Sequence, residues 1–176
     1  MTNHTEAATF RFDKAMLDQL RLEAEQKQIN LNTLLNQIVR SHIEWYANAA
    51  RAGFIPIRKG VIKRLFDSLT KEQVDALAED VARGLTDETM MIMTKERTEE
   101  SIFELFERWI RVSGFNYRHE ISEDSRILII QHNMGENWSH YLSRLMEHAA
   151  SGFMNIKPET QITENALFIR IRRVRR

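Results

Sequence analysis

At Phe115 the spacing of apolar side chains changes from the three-and-four rhythm of helices to strict alternation. A chain with that change folds as helices plus a sheet rather than as either alone. Upstream, Val61, Ile62, Leu65, Phe66 and Leu69 form one helical stripe, and Val74, Leu77, Ala78 and Val81 form another. Thr70-Lys71-Glu72-Gln73 opens the second as a capping box, in which Thr70 and Gln73 satisfy each other's backbone donors. Gly84 ends it. A third helix carries Ile102, Leu105, Phe106, Trp109 and Ile110 and stops near Gly114. Downstream, Phe115, Tyr117, His119 and Ile121 alternate with polar residues, and a Ser-Glu-Asp-Ser turn leads into Arg126 to Ile130. This predicts a hairpin whose second strand is covered on both faces. Gly135 precedes a helix with Trp138, Tyr141, Leu142, Leu145, Met146 and Ala149 on one side, ended by Gly152. Phe153 to Lys157 and Ala166 to Arg172 read as extended. Helices followed by ββαββ predict an α+β fold with mostly antiparallel strands.

The first fifty residues have their own pattern. In Thr9-Phe10-Arg11-Phe12 an extended backbone puts the two phenylalanines on one face and Thr9 and Arg11 on the other. Asp13 can cap a helix whose stripe is Met16, Leu17, Leu20 and Ala24. Asn30 suits a left-handed residue ending that helix. Asn32 can cap a second helix with Leu34, Leu35, Ile38, Val39, His42, Ile43 and Tyr46 on one side. Gly53 and Pro56 then punctuate the chain, so the boundary is expected near residues 51–57, with domains 1–52 and 53–176.

Strand Ala7 to Phe12, helix Asp13 to Gln28, the turn Ile29-Asn30-Leu31-Asn32 and a second helix from Thr33 together resemble the ribbon-helix-helix DNA-binding family of the Arc, MetJ and CopG type. The resemblance implies an intertwined homodimer whose paired strands lie in the major groove of double-stranded DNA. Carried onto this chain, Ala7, Thr9 and Arg11 face the bases, and Phe10 and Phe12 enter the dimer core with Leu17, Leu20, Leu35, Ile38 and Val39. The amides around Asn32 and Thr33 would hold a phosphate, as helix N-termini do, with Lys14 as a further phosphate contact. Independently, a segment of about 45 residues with one short strand cannot pair that strand or close a core alone, so it needs a partner. Arg11 has the donor fork for guanine O6 and N7, and Thr9 can bond several bases or touch a thymine methyl.

Charge keeps two alternatives open. Net charge is zero, and residues 1–52 carry six basic and six acidic side chains. The alternating segment then serves as an ordinary edge strand, or the ribbon serves as a dimeriser in a protein-interaction module of antitoxin type. Residues 53–169 hold 14 basic and 19 acidic residues, while Arg170-Ile171-Arg172-Arg173-Val174-Arg175-Arg176 adds five positive charges without an acid. Arg173, Arg175 and Arg176 are therefore candidate phosphate contacts, or fold back on the acidic middle.

The expected protein is a transcriptional regulator whose C-terminal domain senses a small molecule, binds a protein or joins dimers. The element order of that domain is similar to small-molecule-binding domains of the four-vinyl-reductase and haem-NO-binding type, a likeness that assigns no residue. With no cysteine, disulfides, thiolate nucleophiles and cysteine-based zinc sites are excluded. No apolar run approaches the ~18 residues of a membrane helix, and no secretory pattern opens the sequence, so a cytoplasmic location is expected. His140 and His148, eight residues apart on a helix, stand about 12 Å apart and cannot chelate one ion. His119 and His132 can meet across the hairpin but lack supporting ligands. Met90, Met91 and Met93 suit adaptable core filling, and Glu99, Glu100, Glu104 and Glu107 beside Arg97, Arg108 and Arg111 suit a solvated helix face. No phosphate loop, nucleophile elbow or paired-carboxylate motif is present, so neither catalytic residues nor a metal or cofactor is expected.

Overall fold

The computed structural model describes residues 6–84, 87–96, 98–122, 124–154 and 157–172. Contacts divide the chain into two compact units, Met1–Ile43 and Glu44–Arg176.

In the first unit, α1 spans Lys14–Gln26, and Asp13 caps it by accepting from the amides of Ala15 (2.8 Å) and Met16 (3.4 Å). Gln28 takes the left-handed conformation (φ 55°) after α1. There its amide donates to the Glu25 carbonyl and that of Ile29 to Ala24, a Schellman closure. This corrects two expectations. Asn30 is not the left-handed residue; it is extended and caps α2 (Leu31–Ser41), its Oδ1 accepting from the Thr33 amide at 2.7 Å. Asn32 is not the cap but lies in the first turn of α2, where its carbonyl accepts from Asn36 Nδ2. The physical reason is the early closure at Gln28, which frees Asn30 two residues before the expected start. Residues 6–12 form no strand within the chain and are all exposed. A strand is defined by the ladder it makes, and the described residues of this unit hold no second one.

The helical path continues from α2 through a π-helical turn, His42–Tyr46, into the short α3, Ala47–Ala49. Gly53, at φ +83°, and Pro56 follow in an irregular stretch.

In the second unit the helices are α4 (Lys59–Asp67), α5 (Lys71–Gly84), α6 (Asp87–Thr94), α7 (Glu99–Val112) and α8 (Glu136–Met154). The strands are β1 (Asn116–Ile121), β2 (Ser125–Gln131), β3 (Glu159–Ile162) and β4 (Ala166–Arg172). They make one antiparallel sheet in the order β1-β2-β4-β3. The capping box forms as read: the Thr70 amide donates to Gln73 Oε1 at 2.9 Å, and the Gln73 amide to Thr70 Oγ1 at 3.3 Å. A second box, Thr98 with Ser101, opens α7.

Register explains the core. Leu128 sits opposite Ile169 and Ile130 opposite Leu167, so all four point to one face. They are buried with Ile171 against Phe103, Phe106 and Ile110 of α7 and Trp138, Tyr141, Leu142 and Met146 of α8. The opposite face is only half covered, at Ile127, Ile129 and Phe168, so the expectation of a strand covered on both faces is corrected. Met90 and Met93 fill a smaller cluster with Trp45, Ala49, Ile102 and Leu105, while Met91 is exposed. Helix α8 does not stop at Gly152, and the expected strand from Phe153 is helical to Met154. One interior glycine costs a helix only about 1 kcal/mol, too little by itself to end it. Pro158, which has no amide to continue a helix, instead precedes β3.

Polar bonds lock the helices together. Asn137 Nδ2 donates to the carbonyls of Phe66 (2.8 Å) and Leu69 (2.9 Å), closing the end of α4 from the first turn of α8. Asp75 on α5 accepts from His140 Nε2 and Arg144 Nε on α8, at 2.9 and 3.0 Å. Truncating Asn137 to Ala removes this donor from both carbonyls, and that of Phe66 keeps the Leu69 amide at 3.1 Å. We expect urea denaturation of Asn137→Ala to show a loss of about 1–3 kcal/mol, with the near-ultraviolet circular dichroism of the native state unchanged.

Candidate functional site

Two regions draw attention, one in each unit. In Met1–Ile43, Ala7, Thr9 and Arg11 are exposed, and so are Phe10 (70%) and Phe12 (39%), whose ring centroids lie 6.4 Å apart. Leu17, Leu20 and Leu35 are half-buried, and Ile38 and Val39 exposed. Among the described residues of this unit only Ala24 and Leu34 are buried. Lys14 opens α1 with its side chain in solvent. Asn32 is exposed at the start of α2, but the Thr33 amide already donates to Asn30, so an anion there competes with that cap. Arg173, Arg175 and Arg176 lie outside the described residues. Their neighbours Arg170 and Arg172 pair with Glu159, at 3.7 and 2.7 Å, so this part of the basic run is balanced by an acid.

The acidic face of α7 is also less solvated than its sequence suggests. Glu104 pairs with Arg108 along the helix, but Glu107 meets His119 of β1 at 2.7 Å and Arg111 meets both Glu44 (3.4 Å) and the Tyr117 hydroxyl (3.2 Å). The Tyr117 hydrogen bond, joined by the attraction to Glu44 and Glu107, outweighs the opposing effect of burial and raises the Arg111 pKa above its ordinary value.

The second region is a cleft of about 620 Å³ within Glu44–Arg176. One wall comes from Trp45, Tyr46 and Ala49 and from the irregular stretch Phe54 to Ile57; the other comes from Ile62 and Phe66 of α4, Trp109 and Val112 of α7, and Trp138 and Tyr141 of α8. Its aromatic rings brace one another. Phe66 stands edge-on to Trp138 at 4.6 Å, Trp109 to Phe115 at 5.9 Å, and Trp45 tilts against Phe54 at 4.9 Å. Burial pushes the Tyr141 hydroxyl up to about 12, so it remains protonated. The indole N–H of Trp138 is buried without an acceptor. Among the described residues Lys59 is the one charged residue lining the cleft. Its ammonium donates to the Gly114 carbonyl at 2.8 Å and lies 4.6 Å from the Phe115 ring centroid. Gly114, at φ +62°, turns the chain there in a conformation that a side chain disfavours. The sequence did hold a signal for this cleft: the chain has three tryptophans, and all three line it. Periodicity reads Trp109 and Trp138 simply as core.

His132 and Ser139 invite comparison with a nucleophile and its base, and the hydrogen bonds argue against it. The Met134 amide donates to His132 Nδ1 at 3.0 Å, which leaves the ring proton on Nε2, 2.8 Å from Ser139 Oγ. The histidine therefore donates, and the serine hydroxyl in turn donates to the Thr163 carbonyl at 2.6 Å. A base must accept from the nucleophile; here the direction is reversed and both side chains are buried. The arrangement ties the end of β2 and the start of α8 to the β3–β4 turn. His119 does not meet His132: it lies opposite Leu128 and bonds Glu107. Among the described residues no group of three His, Asp or Glu is placed to hold a metal ion.

No protein-family model matches the chain, and no curated protein matches it.

Burial lowers the His132 pKa from 6.5 to about 4. As pH falls through 6.5 the unfolded chain binds a proton that the folded chain refuses until about 4, so stability is lost across that window and levels off below it. Urea titrations at pH 7 and pH 4 should differ by up to about 3 kcal/mol from this group. In His132→Gln that part of the difference should vanish, at the cost of a lower stability at pH 7.

Proposed function

We propose that this protein is a homodimeric, sequence-specific DNA-binding regulator of ribbon-helix-helix type, with Glu44–Arg176 serving ligand sensing or oligomerisation. The observation that carries this reading is the thinness of the core in Met1–Ile43. Two buried residues cannot offset the entropy of ordering such a unit, while Phe10, Phe12, Ile38 and Val39 remain exposed. A second copy supplies what is missing. Pairing residues 7–12 of two chains gives each its ladder partner and brings the two phenylalanine faces together. The opposite face then presents Thr9 and Arg11 twice, side by side, as a ribbon of a width that the major groove admits.

The charge balance shapes the energetics. One arginine per strand provides readout but little general attraction for phosphate, so the remaining affinity has to come from Lys14, the start of α2 at Asn32, and the arginines beyond residue 172. Binding should therefore fall steeply with salt, because each neutralised phosphate releases counterions.

Sequences selected from a random duplex pool provide the test, read by fluorescence anisotropy. Arg11→Ala is expected to remove the preference for selected over random duplexes, a change of roughly 10- to 100-fold. Removing residues 173–176 should weaken all duplexes alike. Ile38→Asp, which puts a charge into the paired face, should abolish binding and lower the mass seen in sedimentation. Retained sequence preference in Arg11→Ala would refute the groove assignment. No association of the intact protein with any duplex at low salt would instead favour the protein-interaction module.

A further inference from the structure

We propose that the cleft of Glu44–Arg176 is a binding site for a small apolar monoanion with an aromatic body, its charge received by Lys59. The inference deepens the sensory part of the function proposed above by naming the ligand chemistry, and it stands on the second unit alone.

Size is the first argument. A cleft of about 620 Å³ falls within the range of small-molecule sites, which run from about 300 to 1,000 Å³. Such sites are mostly apolar with a few placed polar groups, and this one has that make-up. Its walls hold Trp45, Phe54, Trp109, Phe115, Trp138 and Tyr141, whose rings offer edges and faces to a flat guest. The rings touch one another in two groups, Trp45 with Phe54 and Trp138 with Trp109, Phe115 and Tyr141, and Ile55 and Ile57, which also line the cleft, stay exposed to water.

Charge decides between guests. Aromatic cages commonly take cations, but among the described residues no carboxylate lines this cleft, and Lys59 already occupies the cation's place over Phe115. A second cation would be repelled. An anion meets the ammonium instead, which has three donors and spends one on the Gly114 carbonyl. Next to an apolar wall that contact is stronger than it would be in open water, because the low local dielectric screens it less. A single counter-charge matches a monoanion rather than a phosphate ester of higher charge.

The three tryptophans supply the readout. The intact protein is titrated, in the absence of DNA, with anilinonaphthalene sulfonate as the anionic probe, phenylnaphthylamine as its uncharged counterpart and benzyltrimethylammonium as the cation. Tryptophan quenching should saturate at one equivalent of the anion per chain, and naphthoate should displace it more effectively than decanoate. Lys59→Met should weaken the anion at least tenfold and the uncharged probe less than twofold. Lys59→Glu should reverse the order and admit the cation. Lys59 is exposed at the first turn of α4, so both variants are expected to fold, which near-ultraviolet circular dichroism checks. The proposal is overturned if the native protein binds no anion, if decanoate competes better than naphthoate, or if the Lys59 variants leave the order of the three probes unchanged. Because DNA is absent, such a failure leaves the ribbon reading intact, and failure to bind DNA leaves these titrations unaffected.

Discussion

The apolar face shared by β2 and β4 has to leave water, and the second unit is arranged around that requirement. Leu128, Ile130, Leu167, Ile169 and Ile171 present five branched side chains on one side of a four-stranded sheet. Each is worth about 1.5–3 kcal/mol when fully buried, so the face is strongly driven to find a cover. Helix α8 supplies much of it with Tyr141, Leu142 and Met146, and α7 adds Phe103, Phe106 and Ile110. Once α8 is seated, its other sides set the positions of its neighbours. Asn137 ties it to the end of α4, and His140 and Arg144 tie it to Asp75 of α5. The cleft follows from the same seating, since Trp138 and Tyr141 line it from α8.

The period of the sequence was a good guide to these elements because each signal was local. The change at Phe115, the box at Thr70 and Gln73 and the alternation of Ile169 and Ile171 with Arg170 and Arg172 all translate directly into backbone. Boundaries failed where two local signals competed. At Gly152 the glycine argued for an end, but its cost to a helix is small and α8 runs on to Met154. At Asn30 the residue type suited both a left-handed end and a cap, and the closure at Gln28 decided between them. The cleft was hidden for a different reason. Its walls come from stretches spread between Trp45 and Tyr141, and no local pattern distinguishes a tryptophan packed against a neighbour from one facing a gap.

In Met1–Ile43 the sequence pattern and the fold of a single chain part company in an informative way. Thr9 to Phe12 alternates as a strand does, yet residues 6–12 make no ladder, and the stripes of α1 and α2 leave Ile38 and Val39 in solvent. The pairing with a second copy proposed above answers that mismatch between pattern and burial. The histidine and serine at positions 132 and 139 teach the opposite caution. Their spacing resembles chemistry, and only the direction of each hydrogen bond reveals a structural tie.

The order β1-β2-β4-β3 also governs how this unit is made. β4 is the last of these strands to leave the ribosome, and it lies in the interior of the sheet between β2 and β3. Until residues 166–172 emerge, β2 has an open edge and the apolar side of the hairpin lacks half its width. At a synthesis rate of about 5–20 residues per second, the nascent chain spends some seconds in that state. β3, with only four residues, cannot substitute for β4, because its register is written against β4 and not against β2. Completion of the sheet therefore waits for β4, and chains interrupted before Ala166 would expose to other chains the edge on which β4 normally settles.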